Sequence, residues 1–445
     1  MNQQDFTSGN IWRQLLTFST PILLTNLLQV SYQLIDSLWV GNLLGANALG
    51  AVAISSTVIF TVLSFIIGIN NATLTILSQL KGKGDSEQLR SYVNAFVVLL
   101  TSMAIALGAL GVLLAEDILR LLGTPDAMVP EAVSYLQINF IGILFLFGYN
   151  FIGTVFRSLG DSKTPIRFVF MAVLLNAVLD PLFIHTLGLG IEGAAYATVV
   201  AQGAAFLYGL FISLRHKLIP FSVPSLPSRR ETALILSQGI PAGLQMMVIS
   251  AGAAAIMSVV TSFGGHAVAG YGVAQRLDSL LILPAQALGT AVNSMAGQNI
   301  AAGKWDRVKQ ITTYAVFLNL AIMLAAAVLL FLFSHWSIRL FIADQAAVEF
   351  GGEYVRLVAF FYPFLGLNFV LNGVVRASGA MMQVLVLNII SFWVLRYPMS
   401  AAFAEWFGEP GVALGIGLSF VISSLCAFLY FRFGGWKEKE LFAKG

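Results

Sequence analysis

Read for its apolar and polar positions, the chain is a series of twelve apolar runs separated by short polar punctuation. A helix that crosses a bilayer needs about 20 mostly apolar residues. The runs over 11–40, 48–78, 91–115, 131–157, 166–187, 192–214, 232–262, 268–298, 307–333, 350–375, 383–404 and 411–433 meet that length. The first, second and seventh are long enough to tilt or bend. Between the runs lie turn formers: Gly82 and Gly84, Thr124-Pro125-Asp126, Gly160-Asp161-Ser162, Gly264-Gly265, and residues 408–411. The pattern predicts an all-α membrane protein of twelve transmembrane helices.

The runs repeat. Pro21 matches Pro241, Gly45 matches Gly265, and Gly50 matches Gly270. Gln79 and Gly84 match Gln298 and Gly303, and Arg157-Ser158-Leu159-Gly160 matches Arg376-Ala377-Ser378-Gly379. Pro181 matches Pro398, and Gly193 matches Gly411. An ordered series of this kind predicts two six-helix repeats. Six is even, so both halves enter the membrane from the same side, as parallel repeats about an axis along the membrane normal with a central cavity. The expected division is an N-terminal lobe over 1–214, a cytoplasmic linker over 215–230 with Pro220, Pro224 and Pro227, and a C-terminal lobe over 231–445.

Composition agrees with the bilayer as solvent. Of the 445 residues 58% are hydrophobic and 10% charged, and the mean hydropathy is +0.84. A soluble domain carries roughly 25% charged residues. The net charge of +3 is small, but its distribution is not even. Nineteen Lys and Arg residues fall in the loops and termini of one side, against Arg120 and Arg339 on the other. Basic loops stay in the cytoplasm, so both termini are expected there, in the plasma membrane of a prokaryote. The first ten residues lack the basic start and cleavage site of a signal peptide, so the first run reads as a retained helix. Cys426 is the single cysteine and excludes an intrachain disulfide.

Against this background the polar residues inside the runs stand out, because an ionisable group in hydrocarbon costs about 2.5–3.5 kcal/mol on insertion scales. Asp36 lies deep in the first run. Asn26, Gln29, Gln33 and Asp36 follow at steps of three, four and three, which places them on one helical stripe, with Tyr32 one turn before Asp36. The stripe is expected to face the lobe interior or a wet cavity. The second acid, Asp180, stands four residues after Asn176 and directly before Pro181. That proline lacks an N–H and crowds the carbonyl of Ala177, so a backbone acceptor is left near the acid. Thr198 and Gln202 form a similar pair in the sixth run. Asp36 and Asp180 both fall in the outer half of the membrane by residue count. Two neighbouring buried carboxylates cannot both stay ionised cheaply, which suits uptake and release of a proton. The same oxygens with Asn176 and Thr198 also suit Na⁺, and residue chemistry leaves the two open.

The second half keeps the glycines and prolines of the repeat but not the acids. Asp36 maps to Ile256, and Asn176 and Asp180 map to Trp393 and Tyr397. The ion site is therefore expected in the N-terminal half alone. Arg276 and Asp278, two apart in the eighth run, are candidates either for interhelical pairing or for a cavity, and Arg396 has no evident partner. Met residues accept varied apolar ligands, so Met171, with Met246, Met247, Met257 and Met295, is a candidate for a substrate wall.

Other chemistries lack their residues. Gly188-Leu189-Gly190-Ile191-Glu192-Gly193 fits a dinucleotide pattern but follows no strand, and reads as the turn between the fifth and sixth runs. There is no Walker lysine motif and no nucleophile or metalloprotease pattern, so no enzyme, cofactor or metal is expected beyond the coupling ion. Nothing points to nucleic acid.

The twelve runs in two halves, the proline-bearing first run through Asp36, Val40-Gly41-Asn42, Arg157-Ser158-Leu159-Gly160-Asp161, and Asn176 through Pro181 together resemble the multidrug and toxic compound extrusion transporters, in particular their DinF-type branch. The resemblance covers essentially the whole chain. It implies a V-shaped pair of bundles, alternating access, and antiport of cationic or amphipathic organic compounds against H⁺ or Na⁺. It carries the ion-coupling role onto Asp36, Asn176, Asp180 and Thr198, with Gln29, Tyr32 and Asn150 as neighbours. The branch with acids in its C-terminal half matches less well, because the seventh run has no acid after Pro241 and the tenth offers Asn368 and Asn372. Protons are therefore the favoured ion, Na⁺ at the same site the second. A flippase for a lipid-linked precursor is a third reading, which would require more mid-membrane basic residues than Arg276 and Arg396. The protein is expected to work as a monomer surrounded by membrane lipid.

Overall fold

The computed structural model describes residues 3–439 and 441–442; Lys444, one of the basic residues counted above, lies outside them. All the regular structure described is helical. The helices are α1 (Ile11–Leu44), α2 (Ala46–Lys83), α3 (Ser86–Leu121), α4 (Val129–Ile141), α5 (Ile143–Ser158), α6 (Lys163–Pro181), α7 (Gly190–Arg215), α8 (Arg229–Val260), α9 (Gly265–Ala301), α10 (Trp305–Arg339), α11 (Gln345–Val358), α12 (Tyr362–Ala377), α13 (Met381–Ile389), α14 (Tyr397–Phe407) and α15 (Glu409–Phe433).

These fifteen helices are the twelve expected spans. Ten continuous segments are long and apolar enough to cross a membrane. The pair α4 and α5, bent by 47° at Gly142, makes an eleventh. The first span, α1, has the length at 34 residues, but its polar stripe lowers its apolarity below that of the others. Large apolar side chains such as Leu113, Ile141, Val178, Phe317, Leu332 and Phe433 stand exposed on the helix surfaces, as lipid-facing residues must.

Several spans are broken, and the breaks follow the repeat. The fourth span breaks at Gly142, and the tenth at the 3₁₀ turn Ala359–Phe361 between α11 and α12. Beside Pro181 the fifth span widens into a π-helical turn, Leu182–Thr186. The eleventh carries a longer one, Ile390–Arg396, just before Pro398. Gly160 and Gly379 sit at φ of 87° and 89°, a left-handed conformation that side chains resist. The helix-entry glycine equivalent to Gly45 (φ 84°) is Gly264 (φ 98°), not the Gly265 that sequence matching pairs with it.

The chain divides into two compact units. The first holds residues up to 4 and 20–237, the second 5–19 and 238 onward. This differs from boundaries at 214 and 231 for physical reasons. Phe6 is fully buried in the second unit. Its N–H donates to Gln298 Oε1 at 3.3 Å, and its carbonyl accepts from Asn299 Nδ2 at 2.9 Å and Arg307 Nη2 at 3.0 Å. Gln4 instead donates its N–H to the Gly160 carbonyl at 3.1 Å, in the first unit. The proline-bearing linker also belongs to the first unit, where Asn94 Nδ2 donates to the Ser225 carbonyl at 2.9 Å and Ser91 donates to Glu231.

In the second unit α9 meets α11 and α12 backbone to backbone. A Cβ on Gly270 would lie 2.4 Å from the Ala347 carbonyl, and one on Gly351 2.8 Å from the Gly270 carbonyl. Further along, a Cβ on Gly373 would lie 2.6 Å from the Gly289 carbonyl. Only glycine permits such approach.

Candidate functional site

In the first unit α1 carries Asp36, buried with 8% of its surface exposed. The stripe that leads to it is not uniformly inward. Asn26 and Gln29 are half-buried and Gln33 is exposed, so Asp36 is the stripe's single buried member. One turn earlier, Tyr32 donates its hydroxyl to the backbone carbonyl of Thr198 at 3.4 Å, which ties α1 to α7. Tyr32 lies within range of the charges of both Asp36 and Asp180.

On α6, Asn176 and Asp180 share a face, as their spacing of four requires. Asn176 Nδ2 donates to Asp180 Oδ1 at 3.0 Å, and neither residue has any exposed surface. Asp180 lies within range of the charge of Asp36. The approach of α7 depends on Gly142, since a Cβ there would lie 2.4 Å from Val199 Cγ2, next to Thr198.

Buried polar atoms without a hydrogen-bond partner among the described residues occur in both units, Asn319 Oδ1 and Asn372 Oδ1 included, and all four of the candidate ion-coupling residues contribute one. Asp36 Oδ1, Asn176 Oδ1, Asp180 Oδ2 and Thr198 Oγ1 are each buried with no partner among the described residues. Leaving a buried polar atom unpaired costs about 1–3 kcal/mol. All four atoms are oxygens, two of them on carboxylates. A proton suits this set, because it converts one carboxylate oxygen into a donor for a neighbouring acceptor. A hard cation suits it too, since Na⁺ prefers oxygen ligands as other hard cations do.

The remaining first-unit candidates are placed variously. Asn150 is buried, but its amide donates to the Leu146 carbonyl one turn back at 2.8 Å, a bond within its own helix. Gln29 lies beside Tyr149. Gln202 is half-buried one turn beyond Thr198, and Met171 is half-buried on α6. Sequence reasoning missed Tyr135, a buried residue on α4 that feels the charges of both acids. The repeat contained the signal, for Tyr135 corresponds to Tyr354.

Where the first unit holds Asp36 and Asn176, the second holds Ile256 and Trp393. Ile256 is buried, and Trp393 is exposed with its indole N–H on the Val248 carbonyl at 3.3 Å. Arg276 is exposed on α9. Asp278, two residues on, accepts from Tyr354 Oη at 3.3 Å and from Tyr362 Oη.

A family model described as MatE matches residues 21–182 and again 241–402, once per repeat. The chain is 62% identical to the probable multidrug resistance protein YpnP of Bacillus subtilis (strain 168) over 444 residues, covering 100% of both chains. It is 31% identical to the probable multidrug resistance protein YoeA of the same organism, over 98% of this chain and 97% of that one. A solved structure described as the outward-facing conformation of a multidrug resistance MATE family transporter superposes with a TM-score of 0.92 at 23% identity, covering 97% of each chain.

Proposed function

The chain belongs to the MATE family of multi-pass membrane transporters, and from that premise we propose that it is a secondary active multidrug exporter driven by protons. It exchanges H⁺ for cationic or amphipathic organic compounds through the carboxylate site of the first unit. One observation carries this reading: the four residues Asp36, Asn176, Asp180 and Thr198 each present a buried oxygen without a partner among the described residues.

In the ionised state Asp36 and Asp180 hold negative charge in a site with few donors, which favours a bound organic cation. When one carboxylate takes up a proton, its new O–H donates to an acceptor of the cluster, and that charge is gone. Tyr32, fixed to the Thr198 carbonyl, transmits the change between α1 and α7. Substrate and proton then oppose each other through two states of the same unit, without needing to touch. The basic asymmetry of the loops supports an orientation with both termini in the cytoplasm, in the plasma membrane of a prokaryote. The protein works as a monomer.

Na⁺ coupling at the same four residues is the second reading, favoured by a donor set made wholly of oxygen. Reconstitution into liposomes with an imposed H⁺ or Na⁺ gradient separates them. Uphill movement of an organic cation driven by a pH gradient without Na⁺ is the expected result. Movement that requires Na⁺ and ignores the pH gradient refutes proton coupling.

A further inference from the structure

The second unit holds a buried cation that its own fold leaves largely unanswered. Arg396 ends the π-helical turn Ile390–Arg396 and has 8% of its surface exposed. Its guanidinium carbon lies 3.8 Å from the centre of the Phe392 ring and 4.6 Å from that of Phe420. Nε donates to Ser419 Oγ at 3.4 Å. Among the described residues no carboxylate pairs with it, and its two Nη groups, which carry four of its five N–H donors, have no acceptor.

The nearby charge is Asp278, which acts on Arg396 from beyond pairing distance. Both of its oxygens are engaged, one by Tyr362 and one by Tyr354. It therefore balances the charge of Arg396 without occupying its donors. A salt bridge would have consumed the guanidinium fork. Aromatic rings hold a guanidinium through its π-face contacts instead, and the in-plane donors stay available. A planar fork of that kind matches an oxyanion, which it binds through two parallel hydrogen bonds.

The repeat sharpens the contrast. At the offset that pairs Pro181 with Pro398, Arg396 corresponds to Leu179, the neighbour of Asp180. The two units thus carry opposite charge at adjacent positions of equivalent spans.

We propose that Arg396 is an oxyanion-recognition site in the second unit, made to bind the carboxylate of an amphipathic aromatic compound. This rests on the export reading, and it extends the substrates from cations to acidic and amphoteric compounds. The Phe392 and Phe420 rings supply the apolar surroundings that an aromatic body prefers.

The test uses the full chain purified in a non-ionic detergent, with 1-pyrenebutyrate and its uncharged methyl ester as fluorescent probes. Charge-assisted hydrogen bonds predict that the acid binds about tenfold to a hundredfold more tightly than the ester. Arg396→Gln should abolish that preference and leave the ester's affinity unchanged, while Arg396→Lys keeps part of it. If Arg396→Gln does not fold, Phe420→Leu serves instead and should narrow the same ratio by loosening the clamp. An acid-to-ester ratio that these variants leave at the wild-type value overturns the proposal. So does Arg396-dependent binding of phosphatidylglycerol with no preference between the probes, which would assign the site to a lipid headgroup. Proton-driven export of ethidium by the wild type is measured in liposomes from the same preparation. Its failure counts against the export reading alone, because the binding ratio is read without transport.

Discussion

Asn176 gives its side-chain amide to Asp180 one turn further along α6, and in doing so leaves its own carbonyl oxygen and one oxygen of the acid bare. The bond orients the carboxylate without satisfying it. A purely structural pair would have closed on itself or found a donor on α7. The sensitivity of export to these residues distinguishes the two.

Asp36→Asn is expected to reduce proton-driven export of an organic cation to the passive leak while the protein stays folded. The substitution keeps shape and removes the titratable charge. Efflux from liposomes and the thermal midpoint in detergent report the two halves of this expectation. Uphill efflux at the wild-type rate would remove Asp36 from the coupling role.

Thr198→Ala discriminates between the ions. Under proton coupling the hydroxyl is one acceptor among several, and export should fall by no more than about tenfold, the value of one neutral hydrogen bond. Under Na⁺ coupling Thr198 and Asn176 are ligands, and each loss should approach that of the acids. Initial rates of Thr198→Ala and Asp180→Asn, taken side by side, decide this.

Substrate affinity should depend on pH with a defined sign. The organic cation prefers the ionised site, so its binding expels a proton, and a falling pH opposes it. With one linked proton, affinity falls about tenfold per pH unit on the acid side and levels off on the alkaline side. Titration of purified protein across pH, with and without Na⁺, provides the measurement. Affinity indifferent to pH but reduced by Na⁺ would favour the second reading.

Orientation is testable with single cysteines on a Cys426→Ser background. Arg229→Cys should be protected from an impermeant thiol reagent in intact cells, and Glu409→Cys should react. The reverse pattern would invert the topology.

Gly373→Ala should lower stability by about 1–3 kcal/mol, the usual cost of forcing a methyl group into packed structure. Its Cβ would lie 2.6 Å from the Gly289 carbonyl, and neither backbone can easily yield. The thermal midpoint in detergent reads this directly.

The spans were legible because hydrocarbon demands long apolar runs, and the order of glycines and prolines revealed the repeat. Asn176 and Asp180 were legible because a spacing of four fixes a helical face. Other features depended on contacts between distant residues. The exposure of Gln33 beside the burial of Asp36 depends on how α1 is turned against its neighbours, which periodicity does not specify. The burial of Phe6 against Asn299 and Arg307 joins positions nearly 300 apart. Arg396 had no partner in sequence because its neighbours are rings and a hydroxyl, and aromatic residues are too common in such a chain to single out Phe420.

The glycine contacts between α9 and its neighbours have a mechanical meaning. Side chains between helices act as bearings, which can change rotamer and let one element slide past another. At Gly270–Gly351 and Gly289–Gly373 there is no such bearing, and any slip would drive a carbonyl into a Cα. The two contacts lie roughly 28 Å apart along α9 at 1.5 Å per residue, with Asp278 between them. α9, α11 and α12 are thus fastened on both sides of Asp278, whose carboxylate holds Tyr354 and Tyr362 across the 3₁₀ turn between α11 and α12. The eleventh span is fastened in the same way just beyond the π-turn that carries Arg396, where a Cβ on Gly415 of α15 would lie 2.7 Å from the Met399 carbonyl.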